Sequence, residues 1–147
     1  MNNNYAQLYY EDVKIGDGIP SLTKHPTRRQ LVMWAGASQE FSEMHYDDKF
    51  AADHGFPGVI VFGMLNNSFL AQMVLDWAGP NSMIRRFKSS NRQFVLVEKD
   101  EVCSGTVCGK REQDGMRLVD CEVKLSCEGQ ECVFGEITVE MPSKGPM

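Results

Sequence analysis

Glu40 and His45 stand five positions apart in the segment Ala35-Gly36-Ala37-Ser38-Gln39-Glu40-Phe41-Ser42-Glu43-Met44-His45-Tyr46-Asp47. Downstream, Gly55-Phe56-Pro57-Gly58-Val59-Ile60-Val61-Phe62-Gly63-Met64 leads into an apolar helical run. A carboxylate and an imidazole can serve as acid and base near neutral pH when burial tunes them. A glycine that opens a helix offers an unpaired backbone N–H and the positive end of the helix dipole, both suited to an oxyanion. Donors of this kind supply ~3–4 kcal/mol of transition-state stabilisation in acyl chemistry. The segment therefore reads as proton transfer coupled to stabilisation of an anionic oxygen, although a Glu–His spacing is by itself a weak signal. Asp47, Asp48 and Asp53 also lie near His45 and His54, but their spacing matches no metal-ligand pattern, so solvated acids flanking a short helix are expected and no metal.

These residues need elements to position them. Thr27 is expected to cap a helix over Arg28 to Ala37, and Asp48 to Asp53 to form one or two helical turns ended by Gly55 and Pro57. Gly63 to Ala78 is the clearest helix, with Leu70, Met73, Val74 and Trp77 at i, i+3, i+4, i+7 and Gly79-Pro80 as its stop. Asn66 and Asn67 interrupt its apolar character, yet Met64, Leu65, Phe69 and Ala71 extend the apolar surface well round it. Such a helix should be wrapped by other structure. After Gly79-Pro80 the pattern changes to alternation. Val119 to Cys127 and Val133 to Met141 read as a hairpin about Glu128-Gly129-Gln130, with further strands over Phe87 to Val97 and Val102 to Lys110 and a turn at Asp114-Gly115. Roughly four strands after one long buried helix predict an α+β domain in which an antiparallel sheet wraps that helix.

The 147 residues are expected to form a single domain, 1–147, with a core large enough to need no staples. A net charge of −5 spread along the chain gives no reason to expect nucleic acid or an anionic membrane as partner. Five cysteines, an odd number without a Cys-x-x-Cys pair, together with a polar Met1–Tyr5 and no membrane-length apolar run, suggest reduced thiols in a cytoplasmic protein. The cysteines fall within the alternating runs and read as small core or interface residues. His25 reads as a surface loop residue, and Trp34, Trp77 and most methionines as core.

The run from Arg29-Gln30-Leu31 through Gly63-Met64-Leu65 resembles the MaoC-like, (R)-specific enoyl-CoA hydratase/dehydratase group of hot-dog proteins. An upstream Tyr-Tyr-Glu-Asp-Val-x-x-Gly-Asp segment, Tyr9 to Asp17, and the order of site loop, central helix and strands fit the same group. Its members tend to write the site as Ala-Ser-Gly-Asp-Phe-x-x-x-His, then Phe-Pro-Gly-x-Ile-x-His-Gly-Met. His45 matches the family histidine and Gly63 the oxyanion glycine. Glu40 stands for the usual aspartate, Gln39 for the glycine before it, and Phe62 for a histidine often found before Gly63.

The resemblance implies a hot-dog fold and a hydro-lyase of acyl-CoA (fatty acid) metabolism that adds water reversibly to 2-enoyl-CoA, giving 3-hydroxyacyl-CoA, without a cofactor. Glu40 and His45 would activate the water and the Gly63 N–H would hold the thioester oxygen. Met44, Phe62 and Met64 are candidates for the acyl pocket, the two methionines because flexible thioethers suit variable chains. Arg85, Arg86, Lys88 and Arg92 form the one local basic cluster, which reads either as a solvated strand face or as an attraction for the CoA phosphates. Two hot-dog units are expected to pair, as a homodimer or with another hot-dog chain. The differences at Gln39, Glu40 and Phe62 leave a second reading, a non-catalytic acyl-thioester-binding subunit of an active paralogue, and a third, a hot-dog thioesterase.

Overall fold

In the computed structural model, which describes residues 6–145, a single antiparallel sheet curls round one long helix. The polar stretch Met1–Tyr5, which counted above toward a cytoplasmic protein, lies outside the described residues. The strands are β1 (Gly18–Lys24), β2 (Met83–Asn91), β3 (Glu101–Gln113), β4 (Met116–Cys127) and β5 (Gln130–Glu140), in the order β1-β3-β4-β5-β2. The helices are α1 (Arg28–Ser38), α2 (Asp48–Asp53) and α3 (Gly63–Ala78).

α3 begins and ends where its pattern predicts and packs against all five strands. Leu65, Phe69, Leu70, Met73, Val74 and Ala78 are buried against the alternating inward residues of the sheet, among them Val119, Cys121, Leu125, Val133, Ile137 and Val139. Trp34 and Trp77 pack at the margin of this core. The two hairpin turns use adjacent left-handed residues, Asp114-Gly115 at φ 52° and 77° and Glu128-Gly129 at φ 49° and 80°, the conformation whose twist matches paired strands. Thr27 caps α1 by accepting from the Gln30 N–H at 3.2 Å. Among the described residues no helix is long and apolar enough to cross a membrane.

Two expectations need correction. The segment before α1 contributes a fifth strand, β1, where no strand was expected. Its apolar residues are few and Pro20 interrupts it, so period-2 alternation is absent. The edge position explains how it survives. Pro20 falls where the register with β3 shifts between Ile19 and Leu22, and an edge strand tolerates a missing N–H at a bulge. The strand expected over Phe87 to Val97 is instead β2, beginning at Met83 and leaving the sheet after Asn91. Its apolar tail bonds elsewhere: Val61 N–H donates to Val95 O at 2.8 Å and Val97 N–H to Val59 O at 3.1 Å. That local pairing holds the segment leading into α3.

Candidate active site

His45 is buried on a short 3-10 turn, Glu43–His45, and two contacts fix its ring. Its Nδ1 lies 2.8 Å from the Ile60 carbonyl oxygen, so in the neutral imidazole Nδ1 carries the proton and donates it there. The Ile60 N–H in turn donates to Met44 O at 3.2 Å, lacing the turn to the strand-like segment ahead of α3. Phe62 stacks on the imidazole with ring centroids 3.8 Å apart and planes 24° from parallel. These contacts leave Nε2 as an acceptor, and it faces Glu40, whose Oε1 is 3.9 Å away. That gap is too long for a direct hydrogen bond and short enough for one water to span, given O···O distances of ~2.8 Å.

Glu40 reaches this place because α1 ends sharply. Gln39 adopts left-handed φ 60°, ψ 26° as the helix C-cap, a conformation that costs an L side chain ~1–2 kcal/mol. Its own Nε2 donates to Gly36 O at 2.7 Å, satisfying one of the carbonyls that a helix end leaves free. Glutamine thus holds a left-handed turn of the kind that glycine adopts without strain. Tyr46 closes the far side of the loop by donating its hydroxyl to Phe41 O at 2.8 Å. Glu40 remains about half exposed while His45 does not, so the dyad has one wet and one dry member.

Gly63 opens α3, and its N–H makes no hydrogen bond among the described residues, as expected at a first helical position. A Cβ at residue 63 would lie 3.3 Å from the Asn91 side-chain nitrogen, tight enough to make that amide give way. Asn91, at the end of β2, thus covers the Cα face of Gly63. Sequence reading had no means of finding this contact, because it arises only where β2 stops.

The remaining candidates separate. Met44 is half-buried beside His45, and Met64 is largely exposed on the first turn of α3. Phe62 is buried and spends its face on the imidazole. Arg85 pairs with Glu140 at 2.6 Å, and Arg86 lines a shallow cleft on the outer sheet face with Cys108, Arg111 and Thr138. At ~3.4 Å per residue, these two arginines sit roughly 17–20 Å along β2 from Asn91, so within one chain they do not meet the dyad. Arg92 stacks over Phe134, centroid 4.4 Å away. The aspartates near His45 have separate tasks: Asp47 caps α2, Asp48 pairs with Arg28 and Asp53 with Lys49.

One buried acid went unread in the sequence. Glu101, at the start of β3, is fully buried, and burial pushes its carboxyl from 4.5 up to about 8. Asn66 on α3 meets it: with its amide nitrogen turned toward Glu101, it donates to both carboxyl oxygens, at 3.3 and 3.1 Å. The signal available was Asn66 itself, a polar residue in an otherwise apolar helix.

Comparison with known proteins bears on the family and the fold. The model of the MaoC like domain matches residues 14–129. An (R)-specific enoyl-CoA hydratase of Rhodospirillum rubrum is 25% identical over 142 residues, 93% of this chain and 94% of that protein. Among solved structures, the (R)-hydratase from A. caviae involved in PHA biosynthesis superposes with a TM-score of 0.83 at 24% identity, covering 90% of this chain and 99% of that one. The ChsH1-ChsH2 complex from Mycobacterium tuberculosis gives 0.79 at 22% identity, over 88% and 98% of the two chains. The sheet wrapped round α3 is the hot-dog fold that the resemblance implied, and with the family model spanning most of its length the chain belongs to the MaoC-like domain family.

Proposed function

We propose that the protein is a hydro-lyase that adds water reversibly to a trans-2-enoyl thioester, the thiol carrier being CoA. The orientation of His45 carries this reading, its Nδ1 proton given to Ile60 and its Nε2 turned to Glu40. A water between them donates one hydrogen to Glu40 and the other to Nε2, which leaves an oxygen lone pair free for C3 of the alkene. Glu40 accepts the water's proton as the C3–O bond forms. The π electrons move toward the thioester, and the enolate oxygen is held by the Gly63 N–H at the positive end of α3. A proton then returns to C2, so the net change is addition of water across the double bond.

The free edge of β2, with exposed Met83 on that strand, supports pairing with a second hot-dog chain, identical or different. A non-catalytic subunit is the competing reading, favoured by the longer Glu40 arm at a position where aspartate is usual. Purified protein, alone and with candidate partner chains, should consume the conjugated absorbance of trans-2-enoyl-CoA, and His45→Gln should abolish it. Binding of enoyl-CoA with no hydration in any pairing would favour the subunit reading. Release of free thiol without loss of the alkene would point to thioester hydrolysis.

A further inference from the structure

Asn67 is the one side chain of α3 whose burial the fold does not explain. It is 7% exposed, its Oδ1 has no hydrogen-bond partner, and its Nδ2 reaches only the Met64 sulfur at 3.6 Å. Its neighbour Asn66 is accounted for by Glu101. A buried amide with a free acceptor and a donor spent on a weak sulfur partner is costly to keep, and leucine would fill the position without that cost. Side chains on a helix lean toward its N-terminus, so Asn67 lies over the turn that starts at Gly63, as its contact with Met64 shows. It therefore lies on the first turn of α3, in contact with Met64 and four residues from the oxyanion glycine, and an acyl chain held at Gly63 would run past this turn.

We infer that Asn67 forms a polar acyl subsite and that the substrate is a 2-enoyl thioester bearing a hydroxyl group on its acyl chain rather than a plain alkyl tail. This rests on the hydratase reading of the Gly63 site. A hydroxyl is the matching group because it donates to Oδ1 and accepts from Nδ2 at once, replacing the sulfur contact. One helical pitch of ~5.4 Å places it roughly five or six carbons along the chain.

The test compares trans-2-hexenoyl-CoA with its 5- and 6-hydroxy counterparts in the wild type, Asn67→Leu and Asn67→Ser, each checked for folding by circular dichroism. Calorimetric binding of hexanoyl-CoA and the matching hydroxyhexanoyl-CoAs, which cannot be hydrated, runs beside it. The wild type should favour a hydroxylated chain by about tenfold or more in kcat/KM and in Kd. Asn67→Leu should bring both ratios to one or below, and Asn67→Ser should keep part of the preference if the leucine variant does not fold. A wild-type ratio of one or less overturns the inference. So does a ratio that Asn67→Leu leaves unchanged, which would mean that the amide serves only a buried water. An Asn67-dependent binding ratio without turnover would uphold the subsite and refute the hydratase, turnover with no hydroxyl preference would do the reverse, and failure to bind any acyl-CoA would refute both.

Discussion

Shortening Glu40 to aspartate puts the dyad geometry at risk in a calculable way. A water that donates to two acceptors at ~2.8 Å, with its two O–H bonds at their natural angle, suits acceptors ~4.4 Å apart. The observed 3.9 Å between Glu40 Oε1 and His45 Nε2 is close to that separation. Removing one methylene withdraws the carboxylate by ~1.5 Å, giving a gap of roughly 5.4 Å that one water bridges only at an O···O···N angle near ~150°. Such a water cannot donate well to both, and a misplacement of ~1 Å costs on the order of a hundredfold in rate, or about 2.7 kcal/mol of activation free energy. Glu40→Asp should therefore lower kcat for enoyl-CoA hydration by about a hundredfold. Glu40→Ala, which removes the base, should cost about 10²- to 10⁴-fold. Glu40 is half exposed, so both variants should unfold within about 0.5 kcal/mol of the wild type. The assay is initial-rate loss of the conjugated absorbance under saturating substrate, with urea unfolding as the control. Faster hydration by Glu40→Asp would refute the reasoning. It would show that the loop still holds aspartate geometry and that the glutamate is a defect.

Other parts of the molecule give independent expectations. Between about pH 4.5 and about pH 8 native Glu101 keeps a proton that the unfolded chain has lost, so stability should fall as pH rises through that window and level off above it, a change of a few kcal/mol. Urea unfolding of Glu101→Gln at about pH 5, 7 and 9 should lack this slope, and equal slopes in the two proteins would place the dependence elsewhere. Gly135→Ala should destabilise by about 1–3 kcal/mol in the same assay, because its Cβ would meet the Lys88 backbone oxygen at 2.9 Å and Phe87 at 3.1 Å. Gly36→Ala, inside α1 and facing open space, should instead stabilise by up to ~1 kcal/mol. Of the five thiols only Cys108 is exposed, and burial pushes Cys103 and Cys121 up to about 12, so alkylation of the native protein should modify one cysteine and Cys108→Ser should remove that reaction.

The parts of the fold that were legible are those where one periodicity dominates. α3 and the β4–β5 hairpin bury a whole stripe or face, so every residue along them repeats the same message. β1 was not legible because an edge strand with a proline buries little on its own, and its pairing with β3, from Lys24↔Glu101 to Gly18↔Thr106, depends on chain far away in the sequence. The site shows the same division. Glu40, His45 and Gly63 were recognisable as residue types near one another in the chain. Their geometry comes from groups with no sequence signature: the Ile60 carbonyl, the Asn91 amide and the left-handed turn at Gln39. The arginines at 85 and 86 had the right charge, but strand rise carries them away from the dyad.

The three positions that depart from the family's usual residues have structural consequences of different kinds. Gln39 keeps the left-handed turn and recovers part of the strain through its bond to Gly36. Phe62 takes the position of a second imidazole and supplies a face against which His45 lies, so the ring that must present Nε2 is clamped by stacking on one side and by Ile60 at Nδ1. Neither change alters the direction in which His45 points. Glu40 alone changes the reach of a reacting group, and it does so at the end of the turn that Gln39 sets. The observed gap between its carboxylate and His45 Nε2 leaves room for one water. In the hydratase reading proposed above, the turn and the arm together set the gap that this water must span.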